Sequence, residues 1–87
     1  MSRLKGKRII VVGAGSGIGA ATVRRLAGEG ARVCVADINT EGANTVAQQV
    51  CDSGGEAYPV AIDLADKRTV DEAVAFSVER LGGLDGA

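Results

Sequence analysis

The chain has 87 residues, with ten lysines and arginines against eleven aspartates and glutamates, no histidine, and a net charge of −1. Hydrophobic residues make up 46% and charged residues 24%, which excludes a disordered or collagen-like polymer. The near-neutral balance offers nothing to a nucleic acid or an anionic membrane, and Tyr58 and Phe76, the two aromatic residues, cannot build a base-stacking platform.

Arg8-Ile9-Ile10-Val11-Val12 is a continuous apolar run after its arginine, the pattern of a strand buried on both faces at the centre of a parallel sheet. Gly13-Ala14-Gly15-Ser16-Gly17-Ile18-Gly19 follows at once. Alternating glycines between a strand and a helix mark a tight turn whose backbone N–H groups approach a ligand closely. From Ile18 the apolar positions recur at Ala21, Thr22 (through its methyl) and Leu26, a helical stripe that Gly28 and Gly30 stop. The start of that helix turns unpaired N–H groups toward the glycines, and its natural occupant is a phosphate or pyrophosphate. The basic stretch Met1 to Lys7 imitates a secretory leader, but cleavage near Ala20-Ala21 would destroy the turn. Ile9 to Val23 is also too short and too rich in glycine to span a bilayer, so a cytoplasmic protein is expected.

Ala31 to Ala36 reads as a second strand, built on Val33 and Val35 and ending at Asp37. Asn39 or Thr40 stands where a helix cap belongs, ahead of an inner face made of Ala43, Val46, Ala47 and Val50 that Ser53-Gly54-Gly55 closes. A third strand runs from Ala57 to Ile62, and Pro59 within it cannot donate to a ladder, which places it at an edge. Asp66 caps a third helix with predicted inner face Val70, Ala73, Val74, Ser77, Val78 and Leu81, ended by Gly82-Gly83. Leu84-Asp85-Gly86-Ala87 reads as the approach to a fourth strand. Cys34 and Cys51 are expected to be reduced, partly buried packing residues, and with no histidine to complete a site no metal is expected. The fold class is α/β: a βαβαβα half of a Rossmann-type doubly wound parallel sheet, truncated before the fourth strand, with residues 1–87 forming one partial domain.

The glycines do not spell GxGxxG, because the sixth position counted from Gly13 is Ile18; Gly13, Gly17 and Gly19 fit GxxxGxG instead. Asp37 closes the next strand, where a carboxylate accepts hydrogen bonds from both hydroxyls of an adenosine ribose and repels a 2′-phosphate. Ser16, Ile38 and Asn39 offer no cation to rescue that phosphate, so NAD is expected rather than NADP. Asp63-Leu64 ends the third strand as Asp37 ends the second, and both carboxylates fall at the carboxyl edge of the sheet, where ligands bind.

These features, with Leu4-Lys5-Gly6-Lys7 before the first strand and Gly82-Gly83-Leu84-Asp85 after the third helix, make the chain similar along essentially its whole length to the N-terminal part of short-chain dehydrogenases/reductases. The resemblance implies that Gly13, Gly15, Ser16, Gly17, Ile18 and Gly19 hold the pyrophosphate of a dinucleotide. It further implies that Asp37, with Ile38 beside it, holds the adenine ribose, and that Asp63 and Leu64 hold the adenine ring. The reaction it implies for the parent protein is hydride transfer between an alcohol or carbonyl carbon and NAD(H), with a tyrosine of lowered pKa passing the proton. Val12 departs from the family, which often has threonine there. The family's Asn-Asn-Ala-Gly would begin just after Ala87, and its catalytic Ser and Tyr-x-x-x-Lys lie further on. No catalytic residue is therefore expected here, and Tyr58, with Ile62 four residues later, is a packing residue. The chain alone is expected to bind a dinucleotide without turnover, a small-molecule alcohol or carbonyl substrate being a matter for the full-length parent. Two alternatives stand beside this reading. One is the nucleotide-binding half of an S-adenosylmethionine methyltransferase, which Val11 disfavours because those enzymes usually carry an acid two residues before the first glycine. The other is a non-catalytic fragment that self-associates through the unpaired edge of the first strand.

Overall fold

The computed structural model describes residues 4–86, so Met1 to Arg3 of the basic leader-like stretch and Ala87 of the fourth-strand approach lie outside the described residues. Strands β1 (Arg8–Val12), β2 (Arg32–Asp37) and β3 (Glu56–Ala61) alternate with helices α1 (Gly17–Gly28), α2 (Thr40–Asp52) and α3 (Lys67–Leu81). The strands are parallel in the order β1-β2-β3, with Arg8 opposite Arg32 opposite Glu56, and Val12 opposite Ala36 opposite Val60. Side chains alternate across the sheet, so Val33 and Val35 of β2 meet α1 and α2 on one face while Cys34 and Ala36 meet α3 on the other. Pro59 sits in β3, which is an edge strand among the described residues.

Among the described residues the central strand of the sheet is β2 and not β1. Val33, Cys34, Val35 and Ala36 are all completely buried, whereas Ile10 is the one buried residue of β1. Burial on both faces requires a neighbour on each side as well as helices above and below, and β2 has all four. The outer side of β1 is nevertheless occupied at its start. Ile9 forms a parallel bridge with Gly86, and the Ile10 N–H donates to the Gly86 carbonyl at 3.2 Å. The fourth-strand pairing expected to lie wholly beyond the chain thus begins within it. The edge of β1 left unpaired among the described residues is correspondingly shortened.

The helix ends follow local chemistry. The Asn39 side chain accepts from the Gly42 N–H at 3.1 Å and Asp66 from the Arg68 N–H at 3.0 Å, so Asn39, rather than Thr40, caps α2. The inner face of α3 is narrower than its apolar sequence. Ala73, Ser77 and Leu81 are buried one helical turn apart, but Val74 and Val78, a further 100° or so around the helix, remain 41% and 42% exposed. Cys51 is likewise exposed, because on the last turn of α2 it is the neighbouring Val50 that points at the sheet.

Two arginines fasten the opposite end of the sheet. Arg8 donates through Nε and Nη2 to the Asp85 carboxylate at 2.9 and 3.1 Å, and through Nη1 to the Gly82 carbonyl at 2.9 Å. Arg32 repeats the arrangement with Glu56, at 3.0 and 2.9 Å, and with the Leu81 carbonyl at 2.9 Å. These like charges tolerate adjacent positions in the register because each faces its own carboxylate in a bidentate fork. Together they satisfy carbonyls that the end of α3 would otherwise leave without partners. Arg8 holds the Asp85 carboxyl down to about 2, from an ordinary 3.8. The contribution of Asp85 to folding is therefore fully present above pH 3.8 and fades as the pH falls toward 2. Asp85→Asn is expected to flatten this acid limb in thermal unfolding followed by circular dichroism; an unchanged limb would show that the fork does not stabilise the fold.

Candidate functional site

The turn after β1 divides into two halves with different partners. The Gly13 and Ala14 N–H groups both donate to the Ala36 carbonyl, at 2.8 and 3.1 Å, and the Gly15 N–H donates to Oδ2 of Asp37 at 2.7 Å. Three successive donors are thus committed to β2. From Ser16 onward the geometry changes. Ser16 precedes α1 in extended backbone and makes no side-chain capping bond, and the first N–H groups of a helix have no acceptor within it. Gly13 and Gly17 take left-handed backbone, with φ of 76° and 59°, which only glycine adopts without strain. Gly19 is needed for space instead: a β-carbon there would strike the Gly13 carbonyl oxygen and stand 2.9 Å from the Ala14 Cα.

Beside this turn, at the carboxyl edge of the sheet, is a cleft of about 230 Å3 lined by Val12, Gly13, Asp37, Ile38, Ile62, Asp63 and Leu64. Asp37 stands at the end of β2 with both oxygens engaged, Oδ1 accepting from the Asn39 N–H at 2.8 Å and Oδ2 from Gly15. These backbone donors, Asn39 foremost and then Gly15, hold its carboxyl below the usual carboxylate range against the opposing effect of burial. Asp63 accepts from the Ala65 N–H at 3.0 Å, and its own N–H donates to the Thr69 hydroxyl at 2.9 Å, which fixes the loop between β3 and α3. Ile38 and Leu64 are 69% and 70% exposed, two apolar walls turned to solvent, and among the described residues no lysine or arginine lines the cleft.

Of the residues singled out from the sequence, Gly13, Asp37, Ile38, Asp63 and Leu64 come together in this cleft, and Gly15 joins it through Asp37. Ser16, Gly17, Ile18 and Gly19 stand at the adjoining start of α1 without lining it, and Ile18 is 88% exposed. Sequence reasoning missed Thr69, and it missed the backbone of Asn39 as a holder of Asp37; the Asp-x-Asn spacing after a strand is the signal that could have found the latter. A wider cleft of about 450 Å3 opens between the C-terminal parts of α1 and α2, at Arg24, Gln49 and Ser53, away from all of these residues. Among the described residues no three or more acidic, cysteine or histidine side chains are grouped to hold a metal, and no helix is long and apolar enough to cross a membrane.

The family model for short chain dehydrogenases matches residues 7–86. The chain belongs to the short-chain dehydrogenases. This short-chain dehydrogenase sequence is 51% identical over 87 residues to a 2,5-dichloro-2,5-cyclohexadiene-1,4-diol dehydrogenase of Sphingobium indicum, an alignment covering 100% of the chain and 34% of that protein. It is 35% identical over 85 residues to a 7alpha-hydroxysteroid dehydrogenase of Bacteroides fragilis, covering 98% of the chain and 33% of the relative. Among solved structures, a hydroxysteroid dehydrogenase from Escherichia coli superposes with a TM-score of 0.94 at 36% identity, over 97% of this chain and 36% of that one. A 7 alpha-hydroxysteroid dehydrogenase complexed with NADH and 7-oxo glycochenodeoxycholic acid gives 0.93 at 36% identity, over 95% of this chain and 32% of that one. The chain thus spans about a third of the length of these relatives. Short-chain dehydrogenases depend on NAD(P), and the family match sets the methyltransferase alternative aside.

Because Gly19 packs against backbone that cannot swing aside, Gly19→Ala is expected to lower the unfolding free energy by about 1–3 kcal/mol, the usual cost of overpacking. Urea denaturation measures it; an unchanged midpoint would mean that α1 does not pack on the turn as described.

Proposed function

We propose that residues 1–87 are the dinucleotide-binding part of a short-chain dehydrogenase that takes NAD in preference to NADP. The parent reaction is hydride transfer between an alcohol or carbonyl carbon and NAD(H). The observation that carries this reading is Asp37: an ionised carboxylate at the end of β2, held by two backbone N–H groups, in a cleft that no lysine or arginine lines among the described residues. Such a group favours two free ribose hydroxyls and disfavours a 2′-phosphate.

The residues present suit the remainder of the cofactor. Ser16, Gly17, Ile18 and Gly19 bring the unpaired start of α1 to a pyrophosphate, with side-chain-free backbone at Gly17 and Gly19 and with Gly13 and Gly15 shaping the turn beneath them. Ile38 flanks the ribose, and Asp63 and Leu64 hold the adenine ring between a carboxylate and an apolar wall. When bound, NAD supplies the acceptor for the hydride that leaves a carbinol carbon. The chain's own residues bind and orient; they do not move the proton. Tyr58 gives its hydroxyl to Glu56 at 2.6 Å, and that bond and burial push its pKa up, the opposite of what a proton-passing tyrosine requires. The small-molecule substrate accordingly belongs to the longer protein, and the 87 residues alone bind without turnover.

Calorimetric titration of the chain and of Asp37→Ala with NAD and NADP tests the reading. NAD binding is expected to weaken by about tenfold or more, the effect of losing hydrogen bonds to a charged group, while NADP gains relative to it. A variant that loses both dinucleotides equally would show that Asp37 does not meet the ribose.

A further inference from the structure

Gly15 is the one glycine of the turn whose identity the backbone does not explain. It lacks the left-handed φ of Gly13 and Gly17, and it does not underlie the packing of α1 as Gly19 does. It is nevertheless buried. Its surroundings show what occupies the space of its missing side chain. A β-carbon at Gly15 would stand 2.9 Å from Oδ2 of Asp37, 3.0 Å from its Cγ and 3.2 Å from the Asn39 carbonyl oxygen. On its other side the Gly15 carbonyl lies against α2, where a β-carbon on Gly42 would come within 2.5 Å of it. Gly15 is therefore enclosed between the end of β2 and the first turn of α2. The Gly13, Ala14 and Gly15 N–H groups run along the end of β2, two onto the Ala36 carbonyl and the third onto the Asp37 carboxylate.

We propose that Gly15 is a positioning residue for Asp37: its N–H and its absent side chain set where the carboxylate stands, and thereby how strongly the site prefers a ribose hydroxyl to a 2′-phosphate. The selectivity part rests on the reading of Asp37 as the ribose ligand; the positional part does not. A methyl group at position 15 meets a rotatable carboxylate at 2.9 Å and the Asn39 carbonyl oxygen, held in the backbone, at 3.2 Å, so the carboxylate is what gives way. The consequence is specific. Gly15→Ala leaves the fold standing, swings Asp37 off the Gly15 N–H, and raises its pKa toward the ordinary carboxylate value. The other titratable groups near Asp37 are Asp63, across the cleft, and Glu41, in the first turn of α2.

The test follows the Gly15 and Asn39 amide protons of the isotope-labelled full chain by NMR from neutral pH into acid, and titrates the same chain and Gly15→Ala with NAD and NADP. In the parent chain both amides should move together as Asp37 takes up its proton, and in Asp37→Asn that movement should vanish. In Gly15→Ala the NAD-over-NADP ratio of affinities should fall roughly tenfold, the worth of one charge-assisted hydrogen bond, with Asp37 titrating at higher pH. A Gly15 amide indifferent to the protonation of Asp37, an unchanged ratio in Gly15→Ala, or a parent chain without dispersed signals overturns the proposal. Should Gly15→Ala fail to fold, the comparison of parent and Asp37→Asn amides decides the matter alone. A parent chain that binds neither dinucleotide while its Gly15 amide still follows Asp37 removes the cofactor reading and leaves the positioning role standing.

Discussion

The Ala36 carbonyl accepts from both the Gly13 and Ala14 N–H groups, and this shared acceptor is the joint on which the carboxyl edge of the molecule depends. A carbonyl has two lone pairs, and engaging both with adjacent donors pins the turn to β2. With the turn pinned there, the next donor reaches Asp37, the chain must reverse through left-handed glycines, and α1 has to begin directly beneath the turn, against the Gly13 carbonyl. The geometry also divides the turn: the early N–H groups are consumed inside the protein, and the later ones, at the start of α1, have no acceptor within the helix.

The two ends of the sheet use charge in opposite ways. At the carboxyl edge Asp37 and Asp63 stand, among the described residues, without cations and draw their partners from backbone N–H groups. At the other edge Arg8 and Arg32 are paired with Asp85 and Glu56 and donate to the Gly82 and Leu81 carbonyls at the end of α3. Arg80, over the Tyr58 and Phe76 rings at 5.8 and 5.3 Å, extends that cationic cluster across the α3 side of the sheet.

Those features of fold and site that are local along the chain were legible in the sequence. The β-branched runs, the glycines between them and the Asn39 and Asp66 caps each depend on a few neighbouring residues, and they define all three strands and helices to within a residue or two. Asp37 and Asp63 were legible for the same reason, as acids at strand ends. What depended on distant partners was not. The centrality of β2 follows from which strands flank it, which the apolar run of β1 does not encode. The Arg8–Asp85 fork joins residues 77 apart, and neither residue type signals a partner at that range. The exposure of Val74 and Val78 reflects how much of α3 a narrow sheet covers. The commitment of the Gly15 N–H to Asp37 is likewise a contact across 22 residues, hidden within a motif whose glycines look interchangeable on paper.

The spacing of the strands has a consequence for the order in which the molecule assembles. Pairing β1 with β2, and β2 with β3, closes a loop of 24 residues in each case, each filled by one helix. Seating Asp85 and Gly86 on β1 closes a loop of 77. The entropy of closing a flexible loop grows only logarithmically, so starting from an unfolded chain the long closure costs about 1 kcal/mol more. Once the two short closures have formed, however, most of the intervening residues are already fixed, and the long closure reduces to bringing the tail of α3 onto a finished sheet edge. Assembly from the middle strand outward, with the arginine fork as its last latch, is the route along which each step confines the fewest new residues.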